Sequence, residues 1–197
     1  MTDSETLEKN WLLFRKLCEK TGDRSESLLA MIDELGERIV MCPAFDKNEY
    51  LTCKPGGLVE QALTTFKNIR ALSSAFDEDL PVESMIIVSL FHNIGKIGDP
   101  DGESYFIEQD SQWHRDKLGQ IYKYNPDIAK MSHPHRSLFI LQRFEVKLSD
   151  REWVAILTSG GYGYDENKFY KNTADKLALF LQTASNMSNL GSKIINQ

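Results

Sequence analysis

The chain has 197 residues, one domain by the ~150-residue yardstick, and enough to bury a core without disulfides or a structural metal. Its 41% hydrophobic and 26% charged residues exclude a disordered chain. The net charge of −6 disfavours a protein that grips nucleic acid over its whole surface, although it leaves room for a local basic pocket.

Leu7, Trp11, Phe14 and Cys18 recur at three- and four-residue steps and predict one helix; Leu28, Met31, Ile32, Leu35 and Ile39 predict a second. Gly22 separates them and Pro43 stops the second. After the turn signal Pro55-Gly56-Gly57, Leu58, Ala62, Phe66, Ile69 and Leu72 form a third stripe. A fourth helix is expected to open at Pro81, whose missing N–H is no loss there, and to run through Met85 to Phe91 as far as Gly95. It is apolar nearly all round, which places it in the centre of the domain. From Asp99 to Pro126 the pattern breaks at Gly102, Gly119 and Asn125, with Tyr105, Phe106, Trp113, Tyr122 and Tyr124 interspersed; residues 99–126 read as an irregular flap or short hairpin lying over the helices. Trp113 would pin that flap to the helices, or with His114 help to cover a ligand. Helical spacing resumes at Ser137 to Leu141, Ser149 and Glu152 make a capping-box pattern ahead of Trp153, and a Gly160-Gly161-Tyr162-Gly163-Tyr164 loop precedes a last helix through Leu177, Leu179, Phe180 and Leu181. The fold class is all-α, a single domain.

Cys18, Cys42 and Cys53 include no Cys-x-x-Cys pair and read as three buried thiols in a reducing compartment. The polar, acidic start Met1-Thr2-Asp3-Ser4-Glu5-Thr6 is not a signal peptide, and the longest apolar stretch is far short of the ~20 residues of a membrane span. A cytoplasmic protein without membrane contact is the expectation. No nucleophile elbow and no phosphate-binding glycine loop is present. The histidines are His92, His114, His133 and His135; His92 ends the central helix and, taken singly, reads as a hydrogen-bonded structural residue.

In context the segment reads differently. Ser89-Leu90-Phe91-His92-Asn93-Ile94-Gly95-Lys96 resembles the signature of the HD-domain metal-dependent phosphohydrolases, in which a helix ends in His-Asp and runs on to Ile-Gly-Lys. Gly56-Gly57-Leu58-Val59-Glu60-Gln61-Ala62-Leu63 resembles the upstream element of that family. Ser111 to Asn125 resembles an insertion of phage-encoded members, and Met131 to Leu138 the element that follows it. The resemblance covers Pro43 to Asn189, so that residues 43–197 form an HD-domain-like core and residues 1–42 are N-terminal helices packed on or extending it.

The resemblance implies metal ions held by histidines and aspartates from several helices, activating a water that attacks phosphorus. Of the six implied ligand positions, Gln61, His92, Asn93, His133, Ser159 and Ser185, only His92 and His133 keep a ligand type. Hard dications want anionic oxygens, and catalytic zinc keeps three protein ligands. Two histidines with neutral amides and hydroxyls predict a lost metal centre and no cofactor. Lys96, His133, His135 and Arg136 would then converge into a locally cationic pocket, suited to a nucleotide or another phosphate-containing small molecule. The plainer reading leaves Lys96 and Arg136 as solvated surface charges and His135 as an exposed helix start. The expected function is thus a non-catalytic, HD-domain-like protein that binds a nucleotide-like anion or a protein partner, a host protein if the chain is phage-encoded and works in the host cytoplasm. Two alternatives stand beside it. One is an active phosphohydrolase with a single divalent metal at His92 and His133, aided by Asn93 and Glu60. The other is a structural subunit that docks through residues 1–40.

Overall fold

The computed structural model describes residues 3–172 and 175–194. The spacing of apolar residues is realised as helices. Helix α1 (Asp3–Cys18) buries Phe14, Leu17 and Cys18, and α2 (Ser25–Met41) buries Leu28, Met31, Ile32, Leu35 and Ile39; a 3-10 turn at Gly22–Arg24 joins the two. These side chains belong to the same hydrophobic cluster as those of α3 (Gly57–Ala75) and α4 (Val82–Phe91), so the first forty residues help to build the core. Every residue of α4 from Met85 to Phe91 is buried, as an all-round apolar helix must be. Its ends differ from expectation. Pro81 caps the helix from outside, and the helix stops at Phe91, four residues before Gly95. The chain then tightens into a 3-10 turn, Ile94–Ile97, which packs against α6 (His133–Arg143). Gly95 is required for that approach: a Cβ there would lie 2.3 Å from the His133 carbonyl oxygen and 2.8 Å from the Ser137 nitrogen.

The flap is a two-stranded antiparallel hairpin, β1 (Phe106–Glu108) against β2 (Tyr122–Tyr124), with Phe106 opposite Tyr124 and Glu108 opposite Tyr122. Between the strands lies a helix that its composition did not announce, α5 (Gln112–Leu118), capped by the Ser111 hydroxyl and ended by Gly119 at φ 61°. Trp113, expected to pin the flap, is 59% exposed. Backbone and polar groups hold the flap instead. Ile121 and Tyr122 donate their N–H groups to the Asp46 carbonyl at 2.8 and 3.1 Å, and Asn48 N–H bonds Gly119 O at 2.8 Å. On the other side the Arg38 guanidinium, reaching from α2, gathers the carbonyls of Ile97 (2.9 Å), Asp99, Pro100 (3.0 Å) and Glu103 (3.2 Å).

The Ser149 capping box forms in full at the start of α7 (Asp150–Thr158). Its Glu152 is buried and takes the Arg24 guanidinium on both carboxylate oxygens at 2.8 Å. Burial pushes the Glu152 carboxyl up, but the Ser149 N–H and Arg24 outweigh it and hold it below the usual range. The loop after α7 contains a 3-10 helix, Asp165–Tyr170, and leads to α8 (Lys176–Ser192), which lies against α3 and α7. The architecture is all-α with one small hairpin, and among the described residues no helix is long and apolar enough to cross a membrane. All three cysteines are free thiols; Cys18 and Cys42 are buried and pushed up to about 12 by burial, whereas Cys53, expected to be buried, is only half-buried.

Candidate functional site

Five of the six positions that the resemblance singles out lie where α3, α4, α6 and α8 meet. His92 caps the end of α4, with Nδ1 3.1 Å from both the Val88 and the Ser89 carbonyl oxygens. Those acceptors place the ring proton on Nδ1 and leave the lone pair on Nε2. That lone pair accepts from the Ser185 hydroxyl of α8 at 3.2 Å. Burial, and then the nearby Lys96 charge, push the His92 imidazole down to about 4, so the ring is neutral at pH 7. Next in the chain, Asn93 donates to Gln61 Oε1 of α3 at 3.1 Å, and Gln61 in turn donates to Asn189 Oδ1 of α8 at 2.5 Å. Ser188 donates to the Gln61 carbonyl at 3.3 Å. His133, the first residue of α6, is pushed down to about 3 by burial, by Lys96 and by His92, which places it within the electrostatic reach of both. Ser159 caps the end of α7, with its hydroxyl on the Ile156 carbonyl at 2.7 Å, and makes no hydrogen bond to the other five among the described residues; the next residue, Gly160, lies against Pro134 of α6.

This donor set does not fit a hard dication. It offers neutral imidazoles, amides and a hydroxyl, and the Gln61 amide oxygen and the His92 lone pair are already engaged by Asn93 and Ser185. Among the described residues no three His, Cys, Asp or Glu side chains group so as to hold a metal. Three acids that would complete a ligand set are held in other contacts: Asp165 pairs with Lys168 at 2.6 Å, Asp175 caps α8 and pairs with Arg151 at 2.9 Å, and Glu60 faces Lys54 at 3.4 Å.

The cations are the second feature. Lys96 follows the close-packed Gly95; its ammonium donates to the Ala44 carbonyl at 2.8 Å and lies 5.0 Å above the Phe45 ring. Burial pushes it down to about 8 even though the Asp46 carboxylate acts in its favour. Arg136, read from sequence as a surface charge or a pocket wall, is 2% exposed. Its Nη2 donates to the Ala129 carbonyl at 2.5 Å, and its buried Nε has no partner. Among the described residues neither cation forms an ion pair. Arg136 lies in the first turn of α6 and Lys96 on the 3-10 turn packed against that helix; the first turn carries no acid, and Ser132 makes no capping bond to the backbone. The positive end of the helix therefore adds to their field. His135 is turned to its own cap, with Nδ1 2.6 Å from the Ser132 hydroxyl, and is not joined to Lys96 or Arg136 by a contact.

Sequence reasoning did not connect Arg136 and Lys96 with the groups that lie within their electrostatic reach. Tyr105, half-buried, feels Tyr124, Tyr164, Arg136 and Asp46, and its ring packs edge-on against Tyr124 at 4.9 Å. Asp46 is the one carboxylate felt by both Tyr105 and Lys96. Tyr105 and Tyr124 come from the hairpin, Tyr164 from the loop after α7 and Asp46 from the segment before α3, so no local motif joins them. The arrangement sets one buried and one half-buried cation beside a helix start that carries no acid. Comparison with protein-family models, with curated proteins and with solved structures returns no match to this chain.

Proposed function

We propose that the chain is a non-catalytic relative of the HD-domain phosphohydrolases that works without a metal and binds a small phosphate-bearing anion, nucleotide-like in class, at the head of α6. The observation that carries this reading is Arg136, a buried guanidinium with an unpartnered Nε and no carboxylate. A buried cation without a counter-ion is costly, and an anionic ligand supplies the missing charge. Lys96 and the unblocked first turn of α6 add to the same field. The amide and hydroxyl bonds at Gln61, Asn93 and Ser185 support the metal-free part of the reading, because they occupy the donors that a metal would need.

Isothermal titration with pyrophosphate and with a panel of mono-, di- and cyclic nucleotides tests it. Binding of at least one phosphate-bearing compound is expected, weakened by Lys96→Ala and Arg136→Ala. Silence across the panel overturns the reading. So does stoichiometric Mn, Fe, Zn or Ni in freshly purified protein, which would favour the active hydrolase.

A further inference from the structure

On a face that shares no lining residue with the head of α6, helices α1 and α3 leave a groove of about 720 Å³ between them. Its floor is apolar, made by Leu13 and Leu17 from α1 and Leu63 and Phe66 from α3. Leu13 is 46% exposed there, a large side chain left partly uncovered, whereas Leu17, one turn on, is buried. The rim carries Lys20, Lys67 and Arg70 and no acidic residue. Among the described residues none of the three cations forms an ion pair; Arg70 is held over the Phe66 ring at 5.7 Å, along the groove wall. In a chain of net charge −6, a groove lined by three cations and no acid is a concentration of unmatched positive charge.

From Asn10 to Cys18 the wall of α1 extends about 12 Å at 1.5 Å per residue, and Lys20 lies in the turn just beyond it. Two roughly side-by-side helices with an apolar floor present ridges into which a third helix packs, and the groove has no free strand edge that would select an extended peptide. We infer that the α1–α3 groove docks an acidic amphipathic helix of about two turns from a partner protein, its apolar stripe on Leu13, Leu63 and Phe66 and its Asp or Glu side chains facing Lys20, Lys67 and Arg70. The charge complementarity supplies orientation and encounter rate, and the apolar floor supplies the bulk of the affinity. This surface is independent of the anion site, and either can fail without the other.

The test is selection of a displayed library of random amphipathic helices, about four turns long, on the full chain. Enriched clones are expected to carry Leu, Ile or Phe at i, i+3 or i+4 and i+7 and an excess of Asp and Glu. They should lose about tenfold or more of their affinity for the Lys20→Glu, Lys67→Glu, Arg70→Glu triple variant at low salt. The three side chains are exposed, so the helical circular dichroism of the variant should match that of the parent. Added salt should weaken binding to the parent, as rim charges require. No enrichment overturns the inference, as does enrichment of neutral or basic clones or undiminished binding to the triple variant. Adsorption to phosphatidylserine vesicles by way of the same three cations, with no peptide selected, also overturns it in favour of a membrane-facing patch.

Discussion

Replacing Arg136 with methionine distinguishes a cation kept for a ligand from one kept for the fold. The guanidinium is buried with Nε unpartnered and one hydrogen bond, to Ala129 O. Desolvating an uncompensated ion costs several kcal/mol even after relaxation. The bond to Ala129 returns about 1.5–3 kcal/mol of that. Methionine keeps most of the apolar stem in place and removes both the charge and the orphaned donor. The expected balance is a gain of about 1–2 kcal/mol in the unliganded protein, and at about 2–4 °C per kcal/mol for a chain of this size Tm should rise by roughly 2–8 °C. Urea unfolding followed by circular dichroism measures the first quantity and a thermal melt the second, while pyrophosphate titration in parallel should show binding lost. A variant destabilised by about 3 kcal/mol or more, as when a partnered buried charge is broken, would refute the reasoning. So would a stabilised variant that still binds pyrophosphate with the affinity of the parent.

Acidification should unfold the protein through its imidazoles. Because His92 is held down to about 4 from 6.5, the unfolded chain takes up a proton that the folded chain refuses; the stability present above pH 6.5 is lost as pH falls through that window, about 3 kcal/mol from His92 alone, with His133 adding to it. Urea midpoints measured across this range check the slope, and His92→Gln should flatten it. Glu152→Gln removes the charge that Arg24 and the Ser149 cap share, and should cost about 2–3 kcal/mol in the same unfolding assay. Gly95→Ala forces a methyl against the His133 carbonyl and should cost about 3 kcal/mol and weaken pyrophosphate binding, since it separates the Lys96 turn from α6.

The helical architecture was legible because Leu28 to Ile39 and Leu58 to Leu72 repeat with the helical period, and a period is a property of sequence alone. The Ser149–Glu152 cap was legible for the same reason, being confined to four residues. Helix α5 was hidden because a seven-residue helix holds too few apolar positions to show a stripe, and its tryptophan faces solvent. At the site, the neutral character of Gln61, Asn93 and Ser185 could be read from the residues themselves. Their partners could not: Asn189 and Ser188 are ordinary polar residues until α8 is laid against α3. Arg136 ran against the usual exposure of arginine, and only the packing of Gly95 on its Cβ reveals how deep that turn of α6 sits. The hydrogen-bond partner of Ser159 was not legible because the loop after α7 has no periodicity to fix its register.

The chain of side-chain bonds from Asn93 through Gln61 to Asn189, with His92 on Ser185, ties three helices together through side chains alone. Everything needed to close that joint is encoded in the polypeptide. On the metal-free reading proposed above, the fold should form equally well in cells starved of trace elements and should keep its shape and its urea midpoint in strong chelators.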